Sequence, residues 1–284
     1  MADSKKRSIL CPNCNKLISS YELACPYCGI SRPGSWWRNI ALFREYLQPS
    51  QIVRTIIIVN CSLFAISTLL SFTTMRLSMN PFTFLSPSNK ILLLLGATGT
   101  MPINQFHRWW TLISASYLHG GIIHIFFNMT VLYQIAPLVL QEYGLNRTII
   151  IYTLGGVIGF FISYLAGVPF TIGASASLFA LIGSILYYGK SRGGVYGQTI
   201  YKQISGWVIV LFVFGFLFPG INNWAHAGGL AGGILLGYLL GYSERKREIY
   251  SHKILANSCI FITIPILLWA LLSTLYYLTI PLQR

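Results

Sequence analysis

Acidic residues are scarce in this sequence, with six aspartates and glutamates among 284 residues. They are Asp3, Glu22, Glu45, Glu142, Glu244 and Glu248, and all of them lie outside the long apolar runs. Without a carboxylate in those runs, an intramembrane aspartyl protease, a His-Glu-x-x-His metalloprotease and a complete Ser-His-Asp triad are excluded. A cation-coupled transporter is disfavoured as well, because such proteins ordinarily keep a carboxylate within the membrane.

Charge of either sign is also low: charged residues make up 9% of the chain, whereas hydrophobic residues make up 54% and the mean hydropathy is +0.62. This composition predicts an all-α polytopic membrane protein. A membrane span needs about 20 mostly apolar residues. That criterion predicts seven spans, at 52–72, 112–140, 148–167, 171–189, 204–220, 224–242 and 255–279.

The positive charge is distributed unevenly between the two sides that these spans define. Sixteen of the twenty lysines and arginines lie in the N-terminal segment or in the loops after the second, fourth and sixth spans. Since cytoplasmic loops retain positive charge, we expect a cytosolic N-terminus and an extracytoplasmic C-terminus. We attribute the net charge of +14 to topology and to attraction by anionic lipid, with no nucleic-acid partner, and we expect a bacterial or archaeal plasma membrane.

Four cysteines near the N-terminus form two Cys-x-x-Cys pairs separated by ten residues: Cys11, Cys14, Cys25 and Cys28. This spacing predicts a four-thiolate zinc ribbon within residues 1–34, with structural zinc as its cofactor. Disulfides or free thiols are the alternative, but the expected cytosolic location keeps thiols reduced. The ribbon is either a docking module for a cytosolic partner or a stabilised N-terminal cap. Cys61 and Cys259 are interpreted as packing residues.

Aromatic and apolar residues recur at helical spacing in the next segment. They are Trp36, Trp37, Ile40, Phe43 and Leu47. Residues 35–51 are therefore predicted to form an interfacial amphipathic helix that Pro49 ends. The connection of about forty residues from Phe72 to Thr111 is aromatic enough to be ordered at the outer membrane interface.

Polar side chains inside the predicted second span indicate a site facing the interior of the bundle. His119, His124 and Asn128 lie there, and the last two are spaced i and i+4, so that they share a helical face. Hydrogen bonds between helices would explain a single such residue. A set of three favours function.

The fourth and sixth spans each begin with a chemically useful group. Ser175 and Ser177 open the fourth span, and His226 opens the sixth. A stripe of small residues, Gly229, Gly233 and Gly237, shares the helical face of His226, so that this face can pack closely against another helix. These positions predict a Ser-His dyad in which His226 is the base. Spacing alone leaves both serines open as the nucleophile, with His124, Asn128 and the Ser175 backbone N–H as oxyanion donors.

Three motifs together resemble the rhomboid intramembrane serine proteases: Gly-Ala-Ser-Ala at 173–176, Ala-His-Ala-Gly-Gly at 225–229, and His-Gly-Gly-Ile-Ile-His at 119–124 followed by Asn128. The resemblance covers about residues 52–242 and implies a six-helix catalytic core. It implies that Ser175 is the nucleophile, that His226 is the base, and that His124 and Asn128 stabilise the oxyanion. Residues 243–284 then form a basic loop and an additional transmembrane helix.

The same resemblance implies that the substrates are transmembrane proteins, cut near the extracytoplasmic end of the membrane segment without a catalytic cofactor. Two positions depart from the family pattern: Ala176 replaces the usual glycine after the serine, and Thr111 follows Trp110 where arginine is common. Two other functions stay open. One is a catalytically inactive relative that binds transmembrane helices, and the other is a channel or transporter.

Overall fold

The structure is a computed structural model that describes residues 8–11, 16–27, 32–34, 49–72, 84–218 and 220–279. The predicted interfacial helix at 35–51 falls outside the described residues except for its last three positions. These positions, from Pro49, belong to the next helix. Cys14 and Cys28 also lie outside the described residues. The N-terminal module contains two short antiparallel strands, β1 (Ser8–Leu10) and β2 (Leu17–Ser19).

The remaining regular elements of the described chain are helices. Its helices are α1 (Pro49–Leu70), α2 (Asn89–Leu94), α3 (Thr100–Phe106), α4 (Thr111–Ser114), α5 (Ile122–Tyr143), α6 (Leu145–Leu165), α7 (Ser175–Arg192), α8 (Gly194–Leu217), α9 (Asn223–Leu240) and α10 (Tyr250–Thr279), with a 3₁₀ turn at Ala115–Tyr117. The predicted all-α membrane class is thus confirmed in its coarse form.

Five helices in the described part of the chain, α1, α5, α6, α8 and α10, are long and apolar enough to cross a membrane. Helices α7 and α9 are shorter, with 18 residues each. They lie at the centre of the bundle, where they pack against each other and against α6. Hydropathy alone ranks these two helices lower because they carry small and polar residues on faces that other helices cover. The predicted number of seven spans stays a prediction.

The predicted second span, 112–140, is not one helix. Helix α4 and the 3₁₀ turn end at Tyr117, the backbone at Leu118 is extended, and α5 begins only after Gly121. His119 therefore lies in a connection and not on the helix that carries His124 and Asn128. The prediction of one continuous span was wrong because hydropathy does not register an extended break within an apolar run.

The described part of the connection before that break, residues 84–110, is ordered and includes α2 and α3. Thr98 pairs with Thr171 through two backbone hydrogen bonds, of 3.0 and 2.7 Å. This bridge joins the connection to the extended segment that precedes α7. The connection consequently helps to position the start of the helix that carries Ser175.

Polar contacts link helices at the end of the bundle opposite Ser175. The buried side chain of Arg147 donates from Nε to Nδ1 of His252 at 3.1 Å and from Nη2 to the Lys246 carbonyl at 2.7 Å, which fastens α10 to α6. Arg192 forms a salt bridge of 2.7 Å with Glu244. The hydrogen bond from Arg192 lowers the pKa of the Glu244 carboxyl, so this exposed contact is present at neutral pH and is lost as the pH falls through that pKa.

Candidate active site

Ser175 is the first residue of α7, directly after an extended segment. Gly173 has a φ of +127°, a backbone conformation that favours glycine, and its N–H donates to the Ala115 carbonyl at 2.9 Å. The helix starts immediately after this turn, so that Ser175 lies in the first turn, where backbone N–H groups have no partner within the helix. These N–H groups, with the positive end of the helix dipole, favour negative charge near Ser175.

His226 lies in the first turn of α9, and that turn is held by an asparagine. The side chain of Asn222 accepts a hydrogen bond from the Ala225 N–H at 3.0 Å, and its amide donates to Ser163 Oγ at 2.6 Å and to Thr171 Oγ1 at 2.9 Å. Asn222 therefore caps α9 and ties it to α6 and to the segment before α7. This role was missed from sequence, although an asparagine directly before a helix is a standard N-cap signal.

The His226 ring is packed against an aromatic ring of α7. Its side chain is 7% exposed, and it stacks on Phe179 with ring centroids 4.2 Å apart and planes 17° apart. Nδ1 of His226 is buried and has no hydrogen-bond partner among the described residues. No carboxylate contacts this imidazole in the described part of the chain.

Close packing of α7 on α9 brings the serine face of one helix towards the histidine of the other. Ser175 and Phe179 are spaced i and i+4, so they share the face on which His226 stacks. A Cβ added to Gly229, three residues after His226, would collide with the Ala176 carbonyl oxygen. Further along the same stripe, a Cβ at Gly233 would collide with the Ala180 carbonyl, and one at Gly237 would lie 3.2 Å from the Ser184 Cα.

The two candidate serines have different surroundings. Ser175 is partly exposed, whereas Ser177 is completely buried and donates to Ser116 Oγ at 3.3 Å. A Cβ added to Gly156 of α6 would collide with Ser177 Oγ, so that hydroxyl faces α6. Side chains two positions apart in a helix point about 200° away from each other. The hydroxyl of Ser175 therefore lies on the other side of α7 from that of Ser177.

His124 lies in the first turn of α5, with its ring beside Gly173. The Gly120 N–H donates to Nδ1 at 3.3 Å, so a neutral His124 carries its proton on Nε2. A Cβ built on Gly173 would lie 2.7 Å from that Nε2 and 3.7 Å from Ser175 Oγ. The imidazole N–H and the serine hydroxyl therefore border the same space, and only glycine at position 173 leaves it open.

Asn128 and His119 each contact His124. Asn128 is buried one turn further along α5, and its Nδ2 donates to the His124 carbonyl at 2.9 Å. His119 is completely buried, packs edge-on against His124 with centroids 5.1 Å apart, and has no hydrogen-bond partner for either ring nitrogen among the described residues. His119 thus contacts the ring of His124.

The N-terminal module holds the two described members of the predicted zinc set. Cys11 and Cys25 are both buried and belong to one small core with Ile18. The Cys11 N–H donates to the Lys16 carbonyl at 2.9 Å. The described residues contain no cluster of three or more metal-ligating side chains, since Cys14 and Cys28 lie outside them.

Comparison with known proteins gives one family for the region that contains all four candidate site residues. Residues 107–243 match the Rhomboid domain family. The Rhomboid protease GluP of Bacillus subtilis (strain 168) is 33% identical over 145 residues, which are 51% of this chain and 28% of that protein. RHOMBOID-like protein 5 of Arabidopsis thaliana is 33% identical over 174 residues, which are 60% of this chain and 54% of that protein.

A third relative has a name that bears on activity. Inactive RHOMBOID-like protein 8 of Arabidopsis thaliana is 31% identical over 162 residues, which are 56% of this chain and 45% of that protein. In each of the three comparisons the chain spans less than two thirds of the relative's length. The domain match and the relatives support the rhomboid family for this multi-pass membrane protein.

Proposed function

We propose that this protein is an intramembrane serine endopeptidase of the rhomboid type, with Ser175 as the nucleophile and His226 as the general base. The observation that carries the proposal is the shared space in which the partly exposed Ser175 hydroxyl borders His124 Nε2. The stacking of His226 on Phe179, one helical turn after Ser175, supports the base assignment. The similarity to Rhomboid protease GluP supports the reaction class.

In the proposed first step, the Ser175 oxygen attacks the carbonyl carbon of the scissile peptide bond while His226 accepts the hydroxyl proton. The peptide C–N bond then breaks, and the leaving amine takes that proton from His226. The remaining acyl group is esterified to Ser175. Water, deprotonated by His226, hydrolyses the ester and restores the serine.

The negative oxygen of each tetrahedral intermediate needs hydrogen-bond donors that are already in position. Nε2–H of His124, the backbone N–H of Ser175 and the second amide hydrogen of Asn128 are the proposed donors. The N-terminus of α7 adds the positive end of its dipole. Since removing one oxyanion donor typically lowers the rate by about 10²–10³, these contacts carry a large share of the catalysis.

The proposed substrates are membrane proteins cut near the extracytoplasmic end of a transmembrane segment. Ser175 and His226 each lie in the first turn of a helix, and the charge distribution predicts that these ends are extracytoplasmic. A helix hides its carbonyls, so the cut segment must unwind locally. Small or helix-weakening residues at the cleavage site favour that unwinding.

The test is cleavage of single-span substrates by the purified protein reconstituted in lipid vesicles. We expect cleavage by the unmodified protein and none by Ser175→Ala or His226→Ala, with each variant showing the same helical content and thermal midpoint as the parent. Cleavage that persists in Ser175→Ala would remove the proposed nucleophile.

A second function, binding of transmembrane helices without cleavage, is favoured by the similarity to Inactive RHOMBOID-like protein 8. Under this alternative the same space would hold a helix without reacting. A protein that binds single-span substrates but fails to react with a fluorophosphonate would support it. The presence of both Ser175 and His226 favours the enzyme.

We further propose that Cys11, Cys14, Cys25 and Cys28 hold one structural zinc ion. The burial of Cys11 and Cys25 in one small core is compatible with two thiolates directed at a common ion. Zinc would supply folding free energy to a segment whose apolar core is very small. Elemental analysis should give about one zinc per chain, and Cys11→Ser with Cys25→Ser should remove it. Zinc-free protein with disulfide-bonded cysteines would contradict the proposal.

A further inference from the structure

Helices α5 and α8 touch at both ends of their seam but separate in the middle. Towards the Ser175 end, Phe127 and Phe214 bring their rings within 6.1 Å. Towards the opposite end, the Tyr196 hydroxyl donates to Glu142 Oε1 at 3.0 Å. Between these contacts lies a cavity of about 200 Å³.

The cavity has an unusual lining for a surface within a membrane protein. Gln134 of α5 and Gln203 of α8 face it, together with Trp207 and aliphatic side chains. Both glutamines are exposed, and neither side-chain amide has a hydrogen-bond partner among the described residues. Each lies nine residues from the end of its helix that is remote from Ser175, or about 14 Å along the helix axis.

Two unpaired amides at this depth require a polar partner, because lipid acyl chains can neither donate nor accept a hydrogen bond. The volume also limits the partner. A cavity of about 150 Å³ is enough for a benzene-sized group, so this one has room for a single side chain. A side chain carried by a helix that lies along the seam meets both requirements.

We propose that this cavity is a specificity site that receives one carboxamide or hydroxyl side chain from a substrate's transmembrane helix. The inference rests on the proposed function, since it concerns the substrate of the same active site. His124 and Gln134 are ten residues apart on α5, or about 15 Å along the axis. The recognised side chain should therefore lie about ten residues from the scissile bond, towards the end of the substrate helix remote from Ser175.

The test measures the binding of single-span peptides to Ser175→Ala protein in phosphatidylcholine vesicles, with fluorescence energy transfer as the readout. The peptides carry an Ala-Gly-Ser cleavage region and one glutamine that is moved in single steps along a leucine-rich span. We expect the peptide with glutamine at one particular position to bind about 3- to 20-fold more tightly than the peptide without glutamine. This range is typical of a hydrogen bond between membrane helices. The preference should disappear when Gln134→Leu and Gln203→Leu are added.

The matched control is Gln198→Leu, which removes an exposed glutamine from the same helix, α8, outside the cavity lining. It should keep the full preference and the same thermal midpoint. A preference that survives the loss of both Gln134 and Gln203, or equal binding of all peptides, would overturn the proposal. Displacement of all peptides alike by a single-chain lipid would identify a lipid as the occupant and would overturn it too.

Failure of this proposal and failure of the proposed function are distinguishable. In protein with an intact Ser175, Gln134→Leu with Gln203→Leu should raise KM for the glutamine-bearing substrate and leave the rate of fluorophosphonate labelling unchanged. If Ser175 does not label at all, the protease assignment fails while the binding result still decides the specificity site. If labelling is normal and no peptide is preferred, only the specificity site is wrong.

Discussion

Ser175 and Ser177 show how two similar residues acquire different roles from their surroundings. The hydroxyl of Ser177 is buried between α6 and α7 and donates to Ser116, whereas Ser175 borders an open space beside His124. We expect Ser177→Ala to keep most of the cleavage rate, because the hydroxyl that it removes faces away from that space. Initial rates on a single-span substrate measure this directly, and loss of cleavage in Ser177→Ala alone would reverse the assignment.

His124 and Asn128 should contribute unequally to oxyanion stabilisation. Nε2 of His124 faces the space beside Ser175, while the Asn128 amide already donates to the His124 carbonyl. We expect His124→Ala to lower kcat by about 10²–10³ and Asn128→Ala to lower it less.

Both variants should still react with a small fluorophosphonate, since neither residue supplies the nucleophile. The control is Asn128→Asp, which preserves size but replaces the donor with an acceptor. A larger loss in Asn128→Ala than in His124→Ala would contradict the positions described here.

Sequence reasoning identified the candidate residues, but not the contacts that position them. His124, Asn128, Ser175 and His226 stood out because polar groups are rare in apolar runs. The hydrogen bonds from Asn222 to Ser163 and Thr171 join parts of the chain that are distant in sequence. The position of the His124 ring beside Gly173 also depends on such a contact. Local patterns contain no information on such contacts.

Helices α7 and α9 pack very closely along the glycine stripe of α9, Gly229, Gly233 and Gly237. A Cβ at Gly229 or Gly233 would meet a backbone carbonyl of α7, which cannot move as a flexible side chain could. We expect Gly229→Ala and Gly233→Ala each to destabilise the protein by about 1–3 kcal/mol, the usual range for overpacking. Thermal unfolding in detergent micelles measures the change.

Gly206→Ala on α8 is the matched control, because a Cβ there meets no atom within 4 Å. Alanine favours a helix over glycine by about 1 kcal/mol, so this variant should be as stable as the parent or more so. A midpoint for Gly229→Ala equal to that of Gly206→Ala would show that the stripe does not govern the packing of α7 and α9.

Hydropathy located helices at the centre of the bundle as well as at its surface: α9 was predicted at 224–242 and is Asn223–Leu240. The shift is larger in α8, which was predicted to begin at 204 and begins at Gly194. Helices α1, α6 and α10 were predicted in the correct order with shifted ends, because long apolar runs have few alternative structures in a membrane. The break between Tyr117 and Ile122 was missed because an apolar composition hides it.

At the scale of the whole molecule, the N-terminal module and the helical bundle have separate predicted roles. All four candidate catalytic residues lie within the bundle, and the predicted zinc ligands lie in the module. We expect a variant without residues 1–34 to cleave substrate at a rate close to that of the full chain. The rate is to be measured in vesicles containing equal amounts of folded protein, and complete loss of activity in a folded truncation would contradict this separation.

The coarse class, a helical multi-pass membrane protein with rhomboid likeness, follows from composition and a few motifs. The orientation in the membrane and the number of spans stay predictions, since they rest on the lysine and arginine distribution and on hydropathy. Mapping the cleaved bond by mass spectrometry tests the orientation. Cleavage at the extracytoplasmic end of the substrate segment is expected, and cleavage at the cytosolic end would contradict the predicted topology.

The most direct test of the central claim is to locate the adduct that a fluorophosphonate leaves on the full-length protein in lipid vesicles. Mass spectrometry of the digested protein should find one modified residue, Ser175, because its partly exposed hydroxyl borders the same space as the His124 N–H. The adduct should be absent from His226→Ala and should persist in His124→Ala. An adduct on Ser177, or unmodified protein under conditions that label a known serine protease, would contradict the assignment of Ser175 as the nucleophile.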